Sequence, residues 1–407
     1  MKPFRSSCLK KKLAPALGSL FLSASLLLSP LPAQAFDWGN AIGSVILVSA
    51  QYNMLNKQVS YYDGKGRGEY FNQIKDQEGV NEDPAANAML DRVMTNLSGA
   101  IAKTDPSIEQ NPYHYFVNDN KKFNAYCTLG HNVSVNIGLF DTLNYNEDEL
   151  AFVLGHELGH GEKHDPANGI KRTFPIALLA AVAESQSDTL QAIGTSLLAN
   201  LGSAKLVTLP MEKRADILGF TYATEAGYNP GAGSALWQRV IEKMGNNRET
   251  FLGTIFMPSD HPNNGSRRDK YTKQMYEYSG KHVNVDKKTG HILLNKQDVG
   301  MALPGGSMSS RERTYLVAGN LARVYHQLPQ DKKQDKKVVQ PSARTENDNL
   351  YFGDQRVMSL QYGDDGNQWV EKLNAAVLGK KPEKKSLLQP PANKSIMKNE
   401  QNREARS

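Results

Sequence analysis

The chain has 407 residues, 39% of them hydrophobic and 22% charged, which is enough apolar side chain for a sizeable core and more than one structural unit. With 33 Gly and 19 Pro, collagen-like repetition and wholesale disorder are excluded. The net charge of +6 does not mark a nucleic-acid-binding face, because residues 1–35 and residues 380–407 each carry +5 and leave the body between them mildly acidic.

Lys10–Lys12, the apolar run Leu13–Leu31 and the small-residue triplet Ala33-Gln34-Ala35 have the layout of an export signal cleaved after Ala35. The chain beyond it holds one cysteine, Cys127, so no intramolecular disulfide is expected in an exported protein that must rely on its core. Trp38–Leu55 is apolar but too short before Gln51 to span a bilayer, and is expected as a core-packing helix, with a surface-lying helix as the alternative.

Asp83-Pro84 opens a helix to about Lys103, with Met89, Val93, Met94, Leu97 and Ile101 at helical spacing. Tyr113–Val117 reads as a strand. Asn132–Ile137 alternates polar and apolar residues, the pattern of a half-exposed strand. Asn146 with Glu149 starts a helix that runs to about His164. Further helices are expected over Asp188–Leu206, Leu209–Ala226, from Asn229-Pro230 to about Gly245, and over Gly265–Gly280. Phe174–Ala183 is strongly apolar but too short to cross a membrane. His282–Leu294 suggests a hairpin, and Ser309 with Glu312 caps a helix to about Leu328.

His156-Glu157-Leu158-Gly159-His160 carries the chemistry. Histidines at i and i+4 share one helix face and can both reach a zinc ion, while Glu157, about 100° round the helix, can contact a water instead. Gly155, Gly159 and Gly161 make this a poor helix former, which requires a packing reason. The turn that would extend the motif in metzincins fails at Lys163 and Pro166. His164 fits a supporting place or the helix end. Glu212 and Asp216 are again i and i+4, so one carboxylate can ligate while the other orients a ligand histidine.

The set His156-Glu157-x-x-His160 with Glu212-x-x-x-Asp216 resembles the HtpX-like and CaaX-prenyl-protease-like zinc metallopeptidases, within the gluzincins. The resemblance extends from about Asp83 to Tyr278 and includes Asn124-Ala125, Gly130-His131, Gly138-Leu139, Ala226–Pro230, Ser259-x-His261-Pro262 and Arg267. Arg214 departs from it, standing where family members usually have an acid. Without spanning helices round the motif, the chain is most similar to the soluble periplasmic branch. The resemblance implies an α+β, mainly helical zincin-type domain with an active-site helix and a small edge-exposed sheet, followed here by a small C-terminal α+β appendage.

The expected layout is a signal peptide (1–35), a zinc metalloprotease domain (36–280), a hairpin-plus-helix extension (281–328), a polar linker (329–349), a strand-helix element (350–379) and a disordered basic tail (380–407). One Zn2+ per chain is expected on His156, His160 and Glu212. Glu157 is expected as general base, and Asp216 as the group orienting a ligand histidine, with a proton-donor role also allowed by the resemblance. His261 is implied near the metal as an oxyanion donor or as a fourth ligand closing a latent enzyme, against a purely structural role. The free edge of Asn132–Ile137 is expected to pair with extended substrate. These expectations describe an exported endopeptidase for unfolded or misassembled envelope proteins, with a non-catalytic or latent chaperone as the alternative. Outer-membrane assembly machinery and peripheral membrane contact complete the expected partners, and nucleic acid is excluded.

Overall fold

The structure, a computed structural model, describes residues 38–173, 207–245, 263–328 and 340–379. The expectations for the leader, for Phe174–Ala183, for Asp188–Leu206, for His261 and for the tail fall outside these residues. Contacts divide the chain after Ile46, and the described elements from Leu47 onward belong to one compact unit.

Helices α1 (Trp38–Tyr62) and α2 (Arg67–Glu78) precede α3 (Pro84–Ala102). Asp83 accepts the Ala86 N–H at 2.7 Å and caps α3, whose Met89, Val93, Met94, Leu97 and Ile101 are buried. Short α4 (Ser107–Gln110) leads into a sheet of β1 (His114–Asn118), β2 (Ala125–Thr128) and β3 (Asn132–Asn136). The order is β1-β3-β2, with β3 parallel to β1 and antiparallel to β2.

This order corrects the reading of Asn132–Ile137. The strand is central, has no free edge and is buried at every position. Its apolar face, Val133 and Val135, packs into the core. Its polar face lies under α2, where Asn132 donates to the Arg67 carbonyl and Ser134 to Glu78, which also accepts the Tyr126 hydroxyl at 2.6 Å. The polar positions therefore face hydrogen-bonding partners and not water. α2 itself buries only Ile74, so it carries no apolar periodicity by which to find it.

After α5 (Ile137–Leu143) come α6 (Glu147–Glu162), capped by Asn146 through the Glu149 N–H, and a further helical stretch over 165–173. The chain continues with α7 (Leu209–Glu225), α8 (Ala232–Met244) and α9 (Asn264–Tyr278). A second sheet, β4 (Val283–Val285), β5 (Ile292–Leu294) and β6 (Gln297–Gly300), adds a third strand to the expected hairpin. α10 (Ser310–Gln327) has the Ser309–Glu312 capping box.

A third sheet holds β7 (Ala343–Glu346), β8 (Asn349–Phe352) and β9 (Gln355–Ser359), followed by α11 (Gly366–Val377). β7 lies inside the stretch read as a polar linker. Three of its four residues are exposed, so it shows no alternation. The pairing is set by the turn Asn347-Asp348, both at positive φ as a two-residue hairpin of the primed kind requires. The Arg239 guanidinium joins three helices from within. It donates to both Glu149 oxygens at 2.8 and 3.0 Å and lies 3.5 Å from Glu312, with all three side chains buried. Among the described residues no helix is long and apolar enough to cross a membrane.

Candidate metal centre

α6 and α7 cross at two glycines. A Cβ on Gly155 would meet the Gly219 carbonyl at 3.0 Å, and one on Gly219 would meet the His156 backbone nitrogen at 2.7 Å. This close approach supplies the packing reason for glycine in the motif. Gly161 serves a second one, since a Cβ there would lie 2.6 Å from the Cys127 sulfur.

The crossing brings Glu212, in the first turn of α7, to the two motif histidines. His156 Nε2 and His160 Nε2 lie 3.2 Å apart, and Glu212 oxygens lie 3.5 Å from each. Among the described residues this is the one group whose ligand atoms all fall within 4.8 Å of one another. Donors bound at about 2.0–2.1 Å to a tetrahedral zinc stand roughly 3.3–3.4 Å apart, close to the 3.2 Å between the histidine nitrogens and to the 3.5 Å from each of them to its nearer Glu212 oxygen. Glu212 Oε2 is buried with no polar neighbour closer than the His156 imidazole at 3.5 Å, as a carboxylate oxygen facing a cation site would be. Burial alone would raise the Glu212 carboxyl, but hydrogen bonds and charge from His156 and His160 hold it well below the usual range.

Each histidine has its other nitrogen on a carboxylate. His156 Nδ1 lies 3.1 Å from Asp216 and His160 Nδ1 2.9 Å from Asp165. Both pairings turn Nε2 toward Glu212 and the other histidine, where it can ligate. Asp216 also meets Arg267 at 2.7 Å, Tyr271 at 3.4 Å and Lys270 at 3.5 Å, and Arg267 stacks over the Trp237 ring at 4.2 Å. Burial would raise Asp216, yet Arg267 and His156 hold it far below the carboxylate range. Surrounded by donors, it is placed as an acceptor that can orient His156.

Asp165 gives no signal in the sequence, where an acid next to a proline looks like a helix start. It is fully buried and is also bonded by Arg214, which gives the departure at position 214 a structural purpose. His164 points elsewhere. It ends α6 at φ 50° with Nδ1 2.9 Å from Asp63, so the helix-end placement holds.

Glu157 Oε2 accepts the Cys127 N–H at 3.2 Å, while Oε1 is buried without a hydrogen-bond partner, 3.9 Å from His156 Nε2. Burial pushes Glu157 up to about 7 against the pull of both histidines, a value suited to taking and returning a proton near neutrality. A cleft beside it is lined by Phe123, Asn124, Ala125, Phe152, Leu236 and Trp237, with His156 and Arg267. The Asn124 side-chain oxygen is buried there without a partner.

The Asn136 N–H donates to the Asn124 carbonyl at 3.0 Å. With Ala125 opposite Val135, residues 124, 126 and 128 occupy the hydrogen-bonded pairs. The N–H groups of Ala125 and Cys127 therefore turn away from β3. The outward edge at the site thus belongs to β2.

Two histidines and a glutamate on crossing helices, with a second glutamate beside them in a cleft, make a metallopeptidase centre of the zincin kind. Residues 84–274 match Peptidase family M48, a family of zinc-dependent metallopeptidases. The chain is similar to the beta-barrel assembly-enhancing protease of Escherichia coli (strain K12), at 23% identity over 218 residues, 51% of this chain and 41% of that one. It is also similar to metalloprotease LoiP of the same organism, at 25% over 190 residues, 47% of this chain and 72% of LoiP. The mitochondrial metalloendopeptidase OMA1 of Arabidopsis thaliana matches at 29% over 155 residues, 37% of this chain and 29% of OMA1. The match to the beta-barrel assembly-enhancing protease spans about two fifths of that relative's length.

Proposed function

We propose that the protein is an exported zinc endopeptidase that cleaves unfolded or misassembled envelope proteins, with one ion held by His156, His160 and Glu212. The observation that carries this reading is Glu157, with one oxygen fixed by a backbone N–H and the other bare and facing His156 beside an open cleft. Zinc, when bound, supplies the Lewis acid that acidifies a water and polarises the scissile carbonyl. Glu157 would take a proton from the water attacking the scissile carbonyl and deliver it to the leaving amine. Asp216 and Asp165 fix the tautomer and orientation of His156 and His160. The β2 edge at Ala125 offers an N–H and a C=O for antiparallel pairing with an extended chain, and the Asn124 oxygen can accept a further substrate N–H. Phe123, Phe152, Leu236 and Trp237 favour an apolar side chain in the adjoining pocket.

Backbone pairing reads little sequence, which suits unfolded chains, and the apolar run and cleavage triplet before Phe36 suit export to the periplasm. The name of the beta-barrel assembly-enhancing protease supports a link to beta-barrel assembly. His261 keeps its two proposed roles, inhibitory fourth ligand or oxyanion donor. Casein hydrolysis by the chain from Phe36 tests the reading. The wild type should cleave and Glu157→Gln should retain zinc without cleaving. Zinc-loaded wild type that binds unfolded protein without cleaving it would instead establish the chaperone alternative.

A further inference from the structure

The catalytic centre leaves two neighbouring imidazoles unused. His131 closes the 3-10 turn Leu129–His131 before β3, and His164 ends α6. Their ring centroids lie 5.4 Å apart at 33°, against 4.8 Å at 84° for His156 and His160. In each ring Nδ1 is committed: that of His131 lies 3.0 Å from the Asn111 carbonyl oxygen, and that of His164 lies 2.9 Å from Asp63 Oδ2. A carbonyl oxygen only accepts, so His131 Nδ1 carries the hydrogen and Nε2 of the neutral ring presents a lone pair. That Nε2 is buried without a hydrogen-bond partner, on a residue only 7% exposed. The Asp63 carboxylate imposes the same tautomer on neutral His164, and is itself fixed by the Gly130 N–H at 2.9 Å.

Metal-binding histidines are oriented in this manner, with the second nitrogen donated to a carboxylate or carbonyl. Both histidines also sit in the left-handed region, at φ 58° and 50°, a conformation unfavourable for a side-chain-bearing residue that concentrates at functional positions. We propose that His131 and His164 form a second cation site, for a divalent transition metal that prefers imidazole, with Asp63 orienting His164 and water completing the coordination.

Imidazole nitrogen suits Zn2+ and Cu2+. Arg67, whose Nε donates to the Gly130 carbonyl at 2.8 Å, places positive charge nearby, and neither histidine is joined by a carboxylate ligand. The second site is therefore weaker than the catalytic one. The ion joins the turn after α1, the turn before β3 and the end of α6. Asp165, which holds His160, follows His164 directly, so occupancy stiffens the end of the catalytic helix.

The test is zinc counted on the full chain by titration after removal of bound metal, and it does not depend on peptidase activity. Wild type binds one equivalent tightly and a second more weakly. His164→Asn and His131→Asn, which suit the left-handed backbone, keep the first and weaken the second at least about tenfold. Glu212→Gln weakens the first and keeps the second. A wild type that binds a single equivalent overturns the site, as does a second equivalent unchanged in His164→Asn. His164 is half-exposed, so that variant decides the matter even if His131→Asn fails to fold.

Discussion

Arg214 of α7 closes on Asp165, the buried carboxylate that holds His160 Nδ1 at 2.9 Å. The bond runs across the helix crossing, so α7 steadies the second histidine of α6 as well as supplying Glu212. Asp165→Asn should lower zinc affinity about 10–100-fold with little loss of fold, because an amide orients the ring less strongly than a carboxylate. Competition with a chromogenic chelator measures this. Unchanged affinity would remove Asp165 from the support of the site.

Gly219→Ala puts a methyl 2.7 Å from the backbone nitrogen of His156. Backbone cannot swing away as a flexible side chain can, so the helices must separate. The expected cost is about 1–3 kcal/mol in urea unfolding, together with weaker zinc binding as Glu212 withdraws from the histidines. Loss of stability with metal affinity intact would show that the ligand distances do not depend on this crossing.

Arg239→Met leaves Glu149 buried without its bidentate partner, and should destabilise the protein by about 3–5 kcal/mol. The double variant Arg239→Met/Glu149→Gln should recover part of that loss, because the uncompensated carboxylate is gone. Denaturant midpoints of the four proteins close the cycle. A double variant as unstable as the sum of the singles would refute the coupling.

The His164–Asp63 pair predicts a pH window. The Asp63 hydrogen bond raises His164 above its ordinary 6.5, although burial opposes it. Its contribution is complete below pH 6.5 and is lost as pH rises through the raised value. Burial would raise Asp63, but His164 and the Gly130 N–H hold it below 3.8. That contribution is complete above pH 3.8 and is lost as pH falls through the lowered value. The stability advantage of wild type over His164→Asn should therefore be greatest between these limits. Urea unfolding of both proteins across this range, without added metal, checks it, and a difference that grows toward alkaline pH would contradict the pairing.

The parts of the site legible in the sequence are those fixed by spacing along one helix. His156 with His160, and Glu212 with Asp216, are each one turn apart, and no tertiary arrangement alters that. What escaped depends on contacts between elements. Asp165 gains its meaning only when the chain after α6 turns back, and α2 betrays nothing because it binds the sheet through Arg67 and Glu78 instead of an apolar stripe. The same omission misplaced β3. Alternation records two unlike faces, and only the unseen helix decides that the polar face is dry. β7 stayed hidden because its partner strand, and not its own pattern, makes it a strand.

The region after Gly280 is wired into the catalytic body. Asn229 donates to the Leu316 carbonyl at 3.0 Å, Gly319 leaves room for the Asn229 side chain, and Glu312 of α10 reaches the guanidinium that clasps Glu149 of α6. A gene shortened to the peptidase region would thus encode a protein with an exposed seam along α8 and with the Arg239–Glu149 pair opened to water behind the α6 helix. Duplication or shuffling of this peptidase unit must carry α10 with it, and α10 in turn holds the third sheet and the turn before α11, through Asn320 to the Val357 carbonyl and Arg313 to Asp364.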